Sequence, residues 1–135
     1  MIVLDTDTIS NLMRPQPSPK LTDRLAQIPV DEQATTAITM GELAYGAHKA
    51  GRLDLYGRAI QLIGGVHILD FDRHAGEQYG RMRAELEQQG QRLADPDLRI
   101  AAVTLAHQGT LVTGNLKHFA RISDLSVEDW INHHG

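Results

Sequence analysis

The chain has no cysteine. Disulfides, thiolate zinc sites and cysteine nucleophiles are therefore excluded, and the composition fits a reducing cytoplasm. Aromatic residues make up only 4% of the 135 positions, so no run of stacking platforms for single-stranded bases is advertised. Positive charge is not in excess either. Thirteen Lys and Arg against 17 Asp and Glu leave a formal net charge of −4. A polyanionic substrate would have to be held by local arginines and bridging metal ions rather than by a global field. The N-terminus shows no basic region leading into an apolar run, so no signal peptide is expected. No apolar stretch approaches the roughly 18 residues of a membrane span. No internal repeat or low-complexity segment is found, and GxGxxG, P-loop and HExxH patterns are missing, which removes dinucleotide, nucleoside-triphosphate and zinc-peptidase readings.

What is present is a strand-and-helix alternation. The length suits one compact domain over residues 1–135. Short apolar runs at 2–5, 34–38, 66–69, 110–113 and 125–127 read as strands. Helical periodicity is expected over 9–14, 20–27, 39–50, 52–63, 73–89 and 97–108. Pro15 and Pro17 stop the first of these, Gly51 and Gly64-Gly65 the third and fourth, and Gly90 and Gly109 the last two. Segment 97–108 is apolar almost all round, the pattern of a buried helix. This alternation predicts a parallel sheet covered on both faces, a three-layer α/β/α domain.

Acidic residues recur at equivalent points of that pattern. Asp5 ends the first strand, Glu42 lies in the first turn of the helix after the second, and Asp97 opens the buried helix before the fourth. Asn115 follows the fourth strand, and Asp7 and Asp95 lie close by in sequence. Each has a plain structural reading. Thr39 and Glu42 fit a capping box, Asp95 followed by Pro96 fits an N-cap, and Asp97 suits a helix dipole. Asp5 is harder to dismiss, because a carboxylate ending an apolar strand is costly without a partner. Ligands of parallel α/β sheets bind outside the carboxyl ends of the strands, where these residues would gather. Clustered carboxylates repel one another, and a divalent cation removes the penalty. Oxygen-only ligands favour Mg²⁺ or Mn²⁺, which supports phosphodiester or phosphoryl chemistry. His48, His67, His74, His107 and His118 are scattered, and His133 and His134 read as a terminus rather than a site.

The motifs together resemble PIN-domain ribonucleases, in particular the VapC-type toxins of bacterial toxin–antitoxin pairs. The matching segments are Leu4-Asp5-Thr6-Asp7, Ile38 through Gly46 with Glu42-Leu43, Leu69-Asp70-Phe71-Asp72, Asp97-Leu98-Arg99-Ile100-Ala101-Ala102, Leu111-Val112-Thr113-Gly114-Asn115 through Phe119, and Val127-Glu128-Asp129-Trp130. The resemblance implies a PIN-like α/β/α fold and a metal-dependent endoribonuclease, with Asp5, Glu42 and Asp97 as ligands of Mg²⁺ or Mn²⁺ and Asn115 as a further catalytic residue beside Thr113. It also implies a homodimer in the cytoplasm, not in a membrane, inhibited by a VapB-type antitoxin whose C-terminal segment covers the site. The family commonly has Asn where this chain has Asp7, which adds negative charge. Asn115 is neutral, which weakens a second metal position. Arg14, Arg83, Arg92 and Lys117 are candidates for holding the RNA backbone, and single-stranded or looped RNA is the expected substrate class.

Two other readings differ in class. Asp5-Thr6-Asp7-Thr8 resembles the DxDx(T/V) motif of haloacid-dehalogenase-type phosphatases, with Asp5 as nucleophile and Asp7 as acid/base. Against it, the fifth position is Ile9, and no lysine is well placed to support a phosphoryl group. The third reading is a non-catalytic module that only binds a partner, or DNA together with its antitoxin.

Overall fold

The computed structural model describes residues 1–132, so His133 and His134 lie outside the described residues. Five strands form one parallel sheet: β1 (Ile2–Leu4), β2 (Gln33–Thr36), β3 (His67–Leu69), β4 (Thr110–Val112) and β5 (Ser126–Glu128). Their spatial order is β3-β2-β1-β4-β5. Seven helices flank the sheet among the described residues: α1 (Thr6–Leu12), α2 (Pro19–Ala26), α3 (Ala37–Ala50), α4 (Leu53–Ile63), α5 (Arg73–Gln88), α6 (Asp95–Ala106) and α7 (Leu116–Phe119). None of these is long and apolar enough to cross a membrane.

The inner strands β1, β2 and β4 are buried, the outer β3 and β5 are more exposed, and the inner strands' residues alternate between two cores. Val3, Ala34 and Leu111 face one cluster with Met82 and Leu86 of α5 and Leu98, Ala101 and Ala102 of α6. Leu4 and Val112 face the other, with Ile9 of α1, Leu21 of α2, Ile63 of α4 and Trp130. That two-sided burial is the expected three-layer α/β/α arrangement. α6 buries Leu98, Ile100, Ala101, Ala102, Val103 and Thr104, as its all-round apolar sequence predicts. α3 is placed differently. Ile38 packs on the first core and Met40 on the second, and the helix touches α1, α4 and α6. It therefore straddles the carboxyl edge of the sheet.

Glycine is needed at two points in particular. Gly51 closes α3 in the left-handed region, at φ 66°. At Gly109, a Cβ would stand 3.1 Å from Val3 Cγ2 and 3.3 Å from the Met1 carbonyl. The turn that ends α6 is instead made by Gln108, at φ 54°.

Two capping expectations are corrected. The N-cap of α3 is Thr36, whose hydroxyl accepts from the Thr39 N–H at 3.1 Å. Thr39 is therefore inside the helix, and Glu42 lies in the second turn, outside any capping box. At α6 the cap is Ala94, and Asp95 is already helical. The Asp95 carboxylate is taken instead by the Tyr79 hydroxyl, one helix away, and by Arg99 Nε at 2.6 Å. Those two bonds hold its carboxyl below the usual range.

Candidate functional site

The order β3-β2-β1-β4-β5 reverses direction at β1, and a crevice opens at the carboxyl ends beside such a reversal. In register, Leu4 pairs with Val112, so Asp5 and Thr113 leave the sheet side by side. Asp5 is the N-cap of α1 and accepts from the Thr8 N–H at 2.9 Å. It is only 4% exposed. Burial pushes its carboxyl up to about 6, although hydrogen bonds from Thr113 and Thr8 pull the other way.

Glu42 reaches the same edge from α3. The Thr6 hydroxyl donates to its Oε1 at 2.6 Å, and the Thr39 hydroxyl lies 3.2 Å from that of Thr6. Asp97, in the first turn of α6, is half-buried, and its carboxyl is raised, first by burial and then by the neighbouring Glu42 carboxylate. His118 pulls it back and Asp7 raises it further. Asp7 also bears on Asp5. Asn115 arrives from the end of β4. Its backbone N–H donates to Thr113 Oγ1 at 3.0 Å, and its Nδ2 lies 2.8 Å from His118 Nδ1. His118 Nδ1 is in turn 4.0 Å from Asp97 Oδ2.

The fold thus brings Asp5, Asp7, Glu42, Asp97, Thr113 and Asn115 to one edge. Asp95 is not among them, since it is engaged by Tyr79 of α5 and by Arg99. Among the described residues no Lys or Arg forms an ion pair with Asp5, Asp7, Glu42 or Asp97. The basic partner recorded for these four among the described residues is His118, 4.0 Å from Asp97 Oδ2. Among the described residues no three His, Asp or Glu side chains stand close enough, as placed, to surround one ion. The donor chemistry nevertheless fits a hard divalent cation: carboxylates, hydroxyls and one amide, with no thiolate.

Sequence reasoning missed Thr6, which anchors Glu42, and His118, whose Nδ1 faces the Asn115 amide and lies 4.0 Å from Asp97. A hydroxyl at the start of α1 and a lone histidine on a four-residue helix give no periodic signal. Of the candidate cations, Arg14 lines a cleft of about 360 Å³ between α1, α3 and α4, together with Arg58, Thr6, Glu42 and Leu43. Arg83 and Arg92 line a separate pocket of about 270 Å³ between α5 and α6, which holds none of the edge residues. Arg83 is also engaged by Glu87 and by the Tyr79 hydroxyl. Lys117 is exposed on α7.

Comparison with known proteins gives a consistent picture. Residues 2–125 match the PIN domain family. The chain is 34% identical over 130 residues to ribonuclease VapC1 of Haemophilus influenzae (strain R2866), spanning 95% of this chain and 96% of that protein. It is 30% identical over 129 residues to the tRNA(fMet)-specific endonuclease VapC of Salmonella typhimurium, over 95% and 96% of the two chains. Among solved structures it is similar to VapBC2 from Rickettsia felis, bound to a DNA fragment from its promoter. That likeness has a TM-score of 0.86 and 31% identity, covering 96% of this chain and 99% of that one.

Proposed function

The chain belongs to the PIN-domain family and, within it, to the VapC ribonucleases, and on that premise we propose that it is the endoribonuclease toxin of a VapBC-type toxin–antitoxin pair. The observation that carries the reading is the acidic edge, in which four carboxyls gather with His118 as the recorded basic partner. Asp97 is raised first by burial and then by Glu42, against the pull of His118, and buried Asp5 is raised beside it, with no Lys or Arg ion-paired to Asp5, Asp7, Glu42 or Asp97 among the described residues. A divalent cation bound by such a set would offset the repulsion and the burial penalty. The phosphatase reading of Asp5 and Asp7 has no comparable support.

PIN-domain ribonucleases generally depend on a divalent metal. The all-oxygen donors favour Mg²⁺ or Mn²⁺ here, held by Asp5, Glu42 and Asp97. Bound there, such an ion would lower the pKa of water and offset the charge that builds on phosphate oxygens. The protein's own residues supply position. Thr8 and Thr113 fix the Asp5 carboxylate, and Thr6 fixes Glu42 through Oε1. His118 holds the Asn115 amide, which leaves Asn115 Oδ1 to serve the site.

The substrate is RNA, cut in single-stranded or looped segments; a tRNA is the first class to test, given the activity named for the Salmonella relative. Arg14 and Arg58 on the cleft wall meet the backbone next to Glu42. A VapB-type antitoxin inhibits by laying a segment over this same apolar and basic surface. The toxin acts in the cytoplasm as a homodimer of this single domain.

Analysis of the product ends tests the reaction. Attack by water leaves a linear phosphate on one fragment, so digestion of a tRNA pool in Mg²⁺ gives ends free of 2′,3′-cyclic phosphate. Cyclic phosphate ends would mean that the neighbouring 2′-hydroxyl attacks, and the water-based mechanism would be wrong.

A further inference from the structure

Tyr45 is an anomaly in a chain poor in aromatics. Trp130 and Phe119 are buried, and Phe71, Tyr79 and Tyr56 are partly covered. Tyr45 is 65% exposed, and no other Phe, Tyr or Trp ring is exposed among the described residues. An isolated exposed apolar residue is ordinary. This one is placed one helical turn from Glu42, on the same face of α3, since residues three and four apart are neighbours on a helix. Glu42, Leu43, Gly46 and Ala47 line the cleft and Tyr45 does not, so the ring stands on the flank of Glu42 away from the cleft.

Two further features suit that ring to a flat ligand. Helical side chains lean toward the N-terminus, over the residue one turn before. For Tyr45 that residue is Gly41, and a Cβ at Gly41 would meet nothing within 4 Å. Glycine inside an exposed helix lowers stability relative to alanine, and no packing or positive φ requires it here. The helix surface at Gly41 is therefore open and bare of side-chain atoms. On the next turn, Lys49 Nζ lies 5.7 Å from the ring centroid. A cation there can meet a phosphate while the ring meets a base.

We propose that Tyr45 and Lys49 form a nucleobase platform: the ring stacks on an unpaired base next to the scissile phosphate, over the open helix surface at Gly41, and Lys49 takes the adjoining phosphate. This rests on the ribonuclease reading above. Aromatic stacking is tolerant of base identity, so the platform selects unpaired over duplex RNA rather than one sequence.

The test uses the Asp5→Asn protein in Mg²⁺, so that the RNA stays intact, and a short single-stranded RNA carrying 2-aminopurine at successive positions. One position should be strongly quenched on binding. Adding Tyr45→Ala should abolish that quench and weaken binding five- to a hundredfold, the range for one stacked base. Tyr45→Phe should retain both. Gly41→Leu, which puts a side chain on that open surface, should lose the quench while melting no lower. Unchanged binding and quenching in Tyr45→Ala would overturn the platform. So would a Tyr45→Ala protein that binds RNA normally but has lost self-association or antitoxin binding, which would assign the ring to a protein interface. If the Asp5→Asn parent binds no RNA and the wild type cuts none, the nuclease reading itself falls, which is a distinguishable result.

Discussion

Replacing Asp5 with Asn should make the metal-free protein more stable, and the size of the effect follows from the burial of this one carboxyl. Its folded-state value is raised from 3.8 to about 6. That difference is worth about 3 kcal/mol between the protonated and ionised forms. The sign is that of a raised acid. The contribution is fully present below the unfolded value of 3.8 and is lost as pH rises through about 6. At pH 8 without metal, the folded protein therefore carries an ionised group that it would stabilise better neutral. Asparagine is neutral, and it keeps an oxygen to accept from the Thr8 N–H, so the cap survives. The expected gain at pH 8 in EDTA is about 1–3 kcal/mol, or roughly 4–10 °C in Tm for a chain of this length. At pH 4 the gain should largely vanish, because the wild-type carboxyl is then protonated in the fold. Added Mg²⁺ should raise the wild-type Tm and leave the variant nearly unmoved. The assay is a set of paired thermal melts across pH 4–8, with and without metal. If Asp5→Asn melts clearly below wild type at pH 8 in EDTA, the carboxylate is favoured as an anion by the fold, and the reasoning is refuted.

Other perturbations have their own signatures. Asp97→Asn should abolish cleavage and raise metal-free stability by roughly 0.5–2 kcal/mol, by relieving repulsion from Glu42 and Asp7; a lower Tm in EDTA would mean that Asp97 is needed as a structural anion. Thr6→Val, nearly isosteric, removes the 2.6 Å bond to Glu42 and should cut kcat/KM about tenfold with little change in Tm; unaltered kinetics would show that Glu42 is positioned without it. Gly109→Ala forces a Cβ to 3.1 Å from Val3 Cγ2 and should cost about 1–3 kcal/mol in urea unfolding, far from the site and without effect on per-molecule activity.

The architecture was legible because its signals are periodic. Continuous apolar runs in β1 and β4, and the all-round apolar sequence of α6, call for burial on two sides, which a covered parallel sheet provides. The placement of Asp5 was legible for the same reason, since a charge ending an apolar strand marks the sheet edge. The caps were less legible. Thr36 and Thr39 are both good caps, and Thr35-Thr36-Ala37-Ile38 reads locally as strand; only packing of α3 across the sheet edge selects Thr36. Asp95 before Pro96 is a strong local cap signal, overridden by Tyr79 and Arg99, one of which lies 16 residues away. The placement of His118 and the exposed Tyr45 ring depend on how separate helices meet, and no local pattern encodes that.

The most direct measurement is RNA cleavage by purified, antitoxin-free protein in Mg²⁺, in Mn²⁺ and in EDTA, with Asp5→Ala prepared identically alongside. The account predicts cleavage by wild type in either metal, none in EDTA, and none by Asp5→Ala under any condition. Equal cleavage by both proteins, or cleavage that persists in EDTA, would contradict it.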